Sequence, residues 1–169
     1  LYSFKAIARE YFMINKGEDH RAHLIMKLRG QGIRSARVLS AIESVPRDIF
    51  IENALKNHAW ENVTLPIGEG QTISQPYIVA LMTTALNLSG KEIVLEIGTG
   101  SGYQASILSL LCRRVYTIER IKTLHEFSNK KFKELKLNNI TTKFGNGSLG
   151  WPEVSPFDRI ILTLSLIHI

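Results

Sequence analysis

The apolar positions in the first part of the chain recur with the spacing of helices. Residues 22–28 place apolar side chains on one face and predict a first helix, which glycines at 30 and 32 end. Ser35 is placed to cap a second helix. Before Pro46, the apolar positions of this helix follow the spacing i, i+1, i+4, i+7: Val38, Leu39, Ile42 and Val45. A third, shorter helix is predicted over 47–56.

A segment without helical or strand periodicity follows, from Trp60 to Pro76. Residues 63–76 contain two glycines and two prolines, so we predict a loop. Because a loop of this length is uncommon inside a compact domain and is often functional, the segment is a candidate part of a site. Pro76 then begins a helix that runs to Leu86.

After Gly90 the pattern changes to alternating strands and helices. A short, β-branched apolar run predicts a buried strand over 92–97, and three further strands are predicted over 115–119, 140–144 and 157–163. The last strand is expected to have a buried core of three residues: Ile160, Ile161 and Leu162. Strands separated by helices imply parallel pairing and right-handed crossovers. The sequence therefore predicts an α/β fold, with a doubly wound, mainly parallel sheet behind an N-terminal helical cap.

Composition limits the class of protein. Of the 169 residues, 44% are hydrophobic and 21% are charged, so intrinsic disorder, collagen-like sequence and coiled coil are excluded. The length predicts one domain. No apolar run reaches the roughly 18 to 20 residues of a membrane span, and Cys112 is the only cysteine. We therefore expect no membrane partner and no internal disulfide, and we predict a cytoplasmic protein.

The basic excess, a formal net charge of +6, has a simple interpretation. The basic residues of the helical cap are expected to form a solvated outer face: Lys27, Arg29, Arg34, Arg37 and Arg47. Because the basic residues are scattered rather than gathered into one stripe, we expect no nucleic-acid partner.

The strongest local signal is a strand that runs into a glycine-rich turn, Val94-Leu-Glu-Ile-Gly-Thr-Gly-Ser-Gly-Tyr103. Its glycines, at positions 98, 100 and 102, let a ligand approach the backbone closely. A dinucleotide fingerprint has a small residue where this sequence has Tyr103. The bulky side chain favours a nucleoside ligand without a phosphate over a pyrophosphate. A turn that merely connects two elements is the alternative.

Two acidic residues accompany the turn. Glu119 closes the next strand 21 positions after Gly98, close to the spacing of about 20 residues for an acid that accepts hydrogen bonds from a ribose diol. Glu96 lies inside an apolar strand, where an acid must be paired or face a site. We predict that Glu96 holds the glycine turn through backbone N–H groups.

These features resemble the class I S-adenosylmethionine-dependent methyltransferases, and further motifs narrow the resemblance. The segments Leu65–Tyr77, Val94–Gln104 and Pro156–Thr163, with Glu119-Arg-Ile between them, are similar in order and spacing to the protein-L-isoaspartate O-methyltransferase family. The glycine turn is shared by many methyltransferases, whereas Thr-Ile-Ser-Gln-Pro in the first segment is more specific. The similarity extends from about Ala22 to Thr163.

The resemblance implies an enzyme that uses S-adenosylmethionine to methylate the α-carboxyl of L-isoaspartyl residues in damaged proteins, a repair reaction. It implies that Ser74 orients the substrate, with Thr72 and Ile73 lining the cofactor beside it. The other cofactor-binding residues that it implies are Glu96, Gly98, Gly100, Gly102, Glu119, Asn146 and Gly147. No metal is expected. From spacing alone, Ser74 is better explained as the N-cap of the helix at Pro76, and both roles are compatible.

The sequence departs from the family's pattern in two places. Asn146 stands where the family usually has an Asp that contacts adenine, so an acceptor oxygen is kept and the charge is lost. After Thr163 the family continues into an Ala-rich loop and three more strands, whereas this sequence reads Leu-Ser-Leu-Ile-His-Ile. The chain also begins at Leu1 rather than at a methionine. We therefore expect a fragment whose fold lacks its C-terminal strands.

The expected domain organisation follows from these limits. Residues 1–20 are a leader of doubtful status, and 21–169 form a single methyltransferase domain. Within the domain, 22–90 form the helical cap and active-site loop, 91–163 form the cofactor-binding βαβ units, and 164–169 are a truncated tail.

Three functions remain open from the sequence. The first is isoaspartyl methylation, with isoaspartyl-containing proteins and peptides as partners and the enzyme as a monomer. The second is a methyltransferase of another substrate class: a nucleic acid, which the +6 charge suggests, or a small molecule. However, Leu162-Thr-Leu-Ser lacks the Asn/Asp-Pro-Pro-aromatic motif that base amino-methyltransferases usually carry after the fourth strand. The third is an inactive truncated fragment that only binds the cofactor.

Overall fold

Helices form the N-terminal layer of the fold, as the sequence predicts. The structure, a computed structural model, describes residues 19–164, so most of the predicted leader lies outside the described residues. Helix α1 covers 19–30 and helix α2 covers Ala36–Ser44. The backbone N–H of Val38 donates to the Ser35 hydroxyl at 3.4 Å, which confirms the predicted cap of α2. None of the helices within residues 19–164 combines the length and the apolar character that crossing a membrane requires.

The predicted third helix, over 47–56, is wrong. Two 3₁₀ turns replace it, Arg47–Phe50 and Asn53–His58, and Ile51 is extended between them. Phe50 and Ile51 are both buried. Ile51 has φ −128° and ψ 168°, so the chain leaves the helical conformation directly after Phe50 and cannot continue as one helix.

The burial of Arg47 contradicts the prediction that this residue belongs to a solvated outer face of the helical cap. The other four basic residues of this set are exposed, whereas Arg47 is 0% exposed. Its guanidinium donates hydrogen bonds to two backbone carbonyls. These partners lie 16 and 27 positions away along the chain, so the charge pattern around Arg47 cannot reveal its burial.

The segment predicted as a loop contains an antiparallel hairpin. Strand β1 spans Leu65–Gly68 and strand β2 spans Gln71–Ile73. Gly68 and Gly70 have positive φ angles of 85° and 64°, which let the chain reverse within a few residues. Strands of four and three residues are too short to show a clear alternation of polar and apolar positions. Helix α3 follows over Pro76–Ala85, where the sequence predicts it.

A four-stranded parallel sheet forms the rest of the described chain. Its strands are β3 (Ile93–Ile97), β4 (Arg114–Glu119), β5 (Ile140–Phe144) and β6 (Arg159–Leu162), and the connecting helices are α4 (Tyr103–Ser109) and α5 (Lys122–Glu134). The predicted α/β class and parallel pairing are confirmed.

The strand order β5-β4-β3-β6 contains a reversal next to β3. The chain moves from β3 outward through β4 to β5, and then returns to place β6 on the opposite side of β3. In open α/β sheets, ligands bind beyond the carboxyl ends of the strands at such a switch point. The topology therefore directs attention to the residues after Ile97 and Leu162.

The two faces of the sheet are covered to different extents. On one face, Val94, Val115 and Ile161 pack with side chains from α4 and α5. On the other face, Ile160 and Leu162 pair with Leu95 and Ile97 but are 56% and 55% exposed. The prediction that β6 buries three consecutive residues is therefore wrong for two of them, because alternate residues of a strand point to opposite faces.

Candidate active site

A cavity of about 450 Å³ lies at the carboxyl ends of β3 and β4. The glycine turn after β3 forms its floor, the end of β4 and the start of α5 form one wall, and residues 146–148 and 162–164 complete it. The hairpin contributes Gln71 and Thr72. Six residues expected to bind the cofactor line this cavity: Thr72, Gly98, Gly100, Glu119, Asn146 and Gly147.

A much smaller cavity of about 40 Å³ adjoins the large one, and Ile73 and Ser74 lie in its wall. The residues that the two cavities share are Thr72, Gly98, Gly100 and Thr163. The structure thus brings eight of the ten predicted site residues around two neighbouring cavities. The remaining two, Glu96 and Gly102, line neither cavity.

The three glycines of the turn have different reasons to be glycine. Gly98 has a φ of 96°, and a Cβ on it would lie 2.7 Å from Leu164 Cδ2 at the cavity wall. Gly100 has a φ of 54° and faces Ile67 of the hairpin. Gly102 has a φ of 95°, and its Cβ would lie 2.8 Å from the Phe132 ring. Gly102 therefore allows α5 to pack against the start of α4.

Glu119 holds the glycine turn in place. Its Oε2 accepts a hydrogen bond from the backbone N–H of Gly100 at 2.7 Å, and its Oε1 accepts one from Ile121 at 2.9 Å. The side chain is 5% exposed and lies in the wall of the large cavity. Each carboxylate oxygen keeps further acceptor capacity, so Glu119 can also accept hydrogen bonds from a diol in the cavity.

Glu96 does not hold the turn through backbone N–H groups, which corrects the sequence-based expectation. The Thr117 hydroxyl donates to Glu96 Oε2 and lies 2.6 Å from the Thr99 hydroxyl, so Glu96 reaches the turn only through two side chains. Its other oxygen has no hydrogen-bond partner among residues 19–164. Burial raises the pKa of Glu96 to about 8, the Thr117 hydrogen bond opposes this, and the charge of Glu119 adds to it. Glu96 is therefore a protonated, structural acid at neutral pH.

Replacing Glu96 by Gln should make stability less sensitive to pH. Between the ordinary pKa of 4.5 and the folded pKa of about 8, folded Glu96 holds a proton that the unfolded chain releases. The wild-type chain should therefore lose about 1.4 kcal/mol of stability from this group for each pH unit gained in that window. Urea unfolding at several pH values should show that the free energy of unfolding of Glu96→Gln increases relative to that of the wild type as pH rises. Glu43→Gln, at an exposed position of α2, is the control, and parallel curves for Glu96→Gln and wild type would contradict this role.

The Ser74 hydroxyl does not cap α3. The N-cap position belongs to Gln75, which makes no side-chain capping bond, and the Asn62 side chain instead accepts from the backbone N–H of Tyr77 at 2.9 Å. The backbone carbonyl of Asn62 also accepts a hydrogen bond from the Gln75 side-chain amide at 2.9 Å. The capping interpretation of Ser74 is therefore wrong, and its hydroxyl stays available to the small cavity.

Asn146 and Gly147 form the far wall of the large cavity. The Asn146 Oδ1 accepts from the backbone N–H of Ser148 at 3.0 Å, so the acceptor oxygen caps a 3₁₀ turn and the amide nitrogen is left as a donor. A Cβ on Gly147 would overlap Ile97 Cγ2. Glycine is needed here because the segment passes close to the end of β3.

Thr163 is a site residue that sequence reasoning missed. Its hydroxyl donates toward the carbonyls of Gly98 at 2.6 Å and Ile97 at 3.0 Å, and it lies in the wall of both cavities. Its position at the end of the fourth predicted strand, 157–163, was visible in the sequence. The missing information was that β6 pairs with β3, which places Thr163 beside the glycine turn.

Within residues 19–164, no three His, Cys, Asp or Glu side chains converge as metal ligands would.

The fold and the site define a class I S-adenosylmethionine-dependent methyltransferase. The glycine turn at a switch point, the acid at the end of β4 and a cavity large enough for a nucleoside all fit this cofactor. The chain belongs to the protein-L-isoaspartate(D-aspartate) O-methyltransferase family, whose sequence profile matches residues 19–169. Membership confirms the resemblance, the enzyme class and the cofactor expected from the sequence.

Individual relatives agree with this assignment. The chain is 56% identical to a protein-L-isoaspartate O-methyltransferase of Parvibaculum lavamentivorans, over 89% of this chain and 68% of the relative. It is 54% identical to one of Dictyoglomus thermophilum, over 86% of this chain and 66% of the relative. The chain thus spans about two thirds of these curated relatives.

Solved structures show the same fold. A protein-L-isoaspartate O-methyltransferase matches with a TM-score of 0.79 at 29% identity, over 85% of this chain and 48% of that chain. A putative one from Plasmodium falciparum, in complex with S-adenosyl-L-homocysteine, matches with a TM-score of 0.71 at 24% identity, over 85% of this chain and 72% of that chain.

Proposed function

We propose that the chain methylates the α-carboxyl of L-isoaspartyl residues in damaged proteins, with S-adenosylmethionine as the methyl donor. The observation that carries this proposal is the small cavity beside Ser74, which adjoins a cavity of nucleoside size at four shared residues. A carboxylate in the small cavity would lie next to a methyl group presented from the large one. The name of the family supplies the substrate class.

The large cavity offers a distinct partner for each end of a nucleoside. Glu119 is placed to accept hydrogen bonds from the ribose hydroxyls, because its oxygens already lie in the cavity wall. The backbone of Gly98 and Gly100 allows close approach at the centre of the site. Asn146 and Gly147 are assigned to the base. Glu96 and Gly102 support this arrangement from outside the cavities.

The proposed reaction requires the protein to align the substrate carboxylate with the methyl group of the cofactor, and it requires no proton transfer. The bound cofactor supplies an electrophilic methyl group on a sulfonium. A substrate carboxyl with a pKa of about 4 is already ionised at neutral pH, so no general base is required. The Ser74 hydroxyl, in the wall of the small cavity, can donate a hydrogen bond that orients this carboxylate.

Ser74→Ala should reduce turnover more than cofactor affinity. Loss of the orienting hydrogen bond should lower kcat by about tenfold to a hundredfold, because a bond to a charged group contributes about 1.5 to 3 kcal/mol. The dissociation constant of S-adenosylhomocysteine should change by less than about threefold, since Ser74 lines only the small cavity. Steady-state kinetics and calorimetry measure the two quantities. Ser40→Ala, at an exposed position of α2, is the control, and an unchanged kcat for Ser74→Ala would remove Ser74 from the site.

A labelling assay separates the candidate substrates. The chain is incubated with S-adenosylmethionine labelled in its methyl group, and with either an isoaspartyl peptide or DNA. Base-labile label on the peptide supports the proposal, whereas label on DNA would support a nucleic-acid methyltransferase. Calorimetric binding of S-adenosylhomocysteine with no label on either would identify a protein that only binds the cofactor.

We further propose that the protein is a cytoplasmic monomer without nucleic-acid or membrane partners. The scattered basic residues support the absence of a nucleic-acid partner.

A further inference from the structure

Arg47 carries a buried charge that no carboxylate of the described residues balances. Its side chain is 0% exposed, and within residues 19–164 no carboxylate oxygen lies within 4.0 Å of its nitrogens. Its guanidinium lies 5.1 Å from the centre of the Tyr103 ring. Burial raises the pKa of Tyr103 to about 12, so this phenol stays neutral and does not compensate the charge. An unbalanced buried charge is costly, which calls for a structural or functional reason.

The guanidinium ties together the two ends of the hairpin. Its Nη1 donates to the Ser74 carbonyl at 2.9 Å, and its Nη2 donates to the Val63 carbonyl at 3.0 Å. Val63 lies two positions before β1, and Ser74 follows directly after β2. One planar side chain therefore fixes the base of the hairpin and the backbone of Ser74 at the same time.

The hairpin held in this way lines both cavities. Gln71 and Thr72 line the large cavity, and Ile67 packs over Gly100. At the tip, the Glu69 carboxylate accepts from the Thr123 hydroxyl at 2.8 Å, which links the hairpin to the start of α5. Arg47 at the base and Glu69 at the tip thus anchor one segment that lines both cavities.

We propose that Arg47 is a positioning residue for methyl transfer, acting by holding the Ser74 backbone, and with it the Ser74 hydroxyl, in place. The inference rests on the proposed function of Ser74. Arginine suits this role better than lysine because its planar fork reaches two carbonyls at once and keeps its proton when buried. A lysine at this position reaches one carbonyl and loses its charge more readily on burial.

The test compares Arg47→Lys and Arg47→Gln with a matched control, Arg37→Lys. Arg37 also donates to two carbonyls, those of Leu88 at 2.6 Å and Leu111 at 3.3 Å, but it is exposed and lies outside the walls of both cavities. Amide hydrogen exchange is measured for residues 63–75 and for the rest of the chain. Steady-state kinetics on an isoaspartyl peptide are measured for each variant, alone and combined with Ser74→Ala.

Arg47→Lys should speed exchange in 63–75 by about tenfold, and should lower kcat/KM by about tenfold to a hundredfold, as expected for a lost hydrogen bond to a charged group. If Arg47 acts through Ser74, the same substitution in the Ser74→Ala background should change kcat/KM by less than about twofold. Arg37→Lys should leave both quantities unchanged. If Arg47→Lys does not unfold cooperatively, Arg47→Gln takes its place.

Two results would overturn the inference: unchanged exchange in 63–75 for both Arg47 variants, or kinetic losses that multiply with those of Ser74→Ala. A merely structural role would give multiplying losses. A wild-type chain that transfers no methyl group would overturn the proposed function, and exchange in 63–75 would then decide alone whether Arg47 holds the hairpin.

Discussion

Glu119→Gln is expected to raise the dissociation constant of S-adenosylhomocysteine by about a hundredfold, a loss of about 2.8 kcal/mol. The Glu119 carboxylate accepts from the backbone N–H groups of Gly100 and Ile121, one on each oxygen. A glutamine amide has one oxygen, so one of these N–H groups would lose its partner beside the cavity. The substitution also weakens the acceptor that we assign to the ribose hydroxyls.

Isothermal calorimetry measures this affinity, with Glu126→Gln as the control. Glu126 lies on the exposed side of α5, 3.9 Å from Lys122, and touches neither cavity. Its substitution should leave the affinity unchanged. A Glu119→Gln chain that folds and binds S-adenosylhomocysteine as tightly as the wild type would remove Glu119 from the cofactor site.

Gly102→Ala is expected to destabilise the fold by about 2 to 4 kcal/mol, although Gly102 touches no ligand cavity. Two costs add. The φ of 95° is unfavourable for any residue with a side chain, and the new Cβ would lie 2.8 Å from the Phe132 ring and 3.1 Å from Ser128 Cβ. Relief would require α5 to move away from α4, which would disturb the packed core around Phe132.

Urea unfolding measures this loss, and Gly30→Ala is the matched control. Gly30 ends α1 without a positive φ, and nothing lies within 4 Å of a Cβ built on it. Its replacement should be neutral or should stabilise the chain by up to about 1 kcal/mol. A Gly102→Ala chain as stable as the Gly30→Ala chain would contradict the packing role of Gly102.

The central part of the fold could be predicted from the sequence because its signals are local. Four of the five residues of β3 are apolar and four are buried, so a short apolar run predicts this strand. The glycine turn follows β3 directly, and Glu119 ends β4 at the expected spacing. The pairing of these two strands then brings the turn and the acid together without further information.

The errors occurred where long-range contacts decide the structure. The burial of Arg47 depends on carbonyls of Val63 and Ser74, and the cap of α3 comes from Asn62 rather than from the adjacent serine. Neither partner can be read from nearby residues. The hairpin was missed because its strands are short, and the exposure of Ile160 depends on which face of β6 is covered.

The candidate site shows the same division. Thr72, Gly98 and Glu119 belong to motifs that are contiguous in sequence, and they meet at the predicted place. Thr163 was missed because only the strand order places it against the turn. Glu96 and Gly102 belong to the motif, but the structure assigns their contacts to the support of the site: Glu96 to Thr117, and Gly102 to Phe132.

The most direct test of the proposed function uses two peptides that differ only in whether one residue is isoaspartyl or aspartyl. The chain is given labelled S-adenosylmethionine and each peptide in turn, and base-labile methyl ester is counted over time. We expect ester formation on the isoaspartyl peptide and none above background on its aspartyl counterpart. Equal labelling of the two peptides, or no label on either, would contradict the assignment.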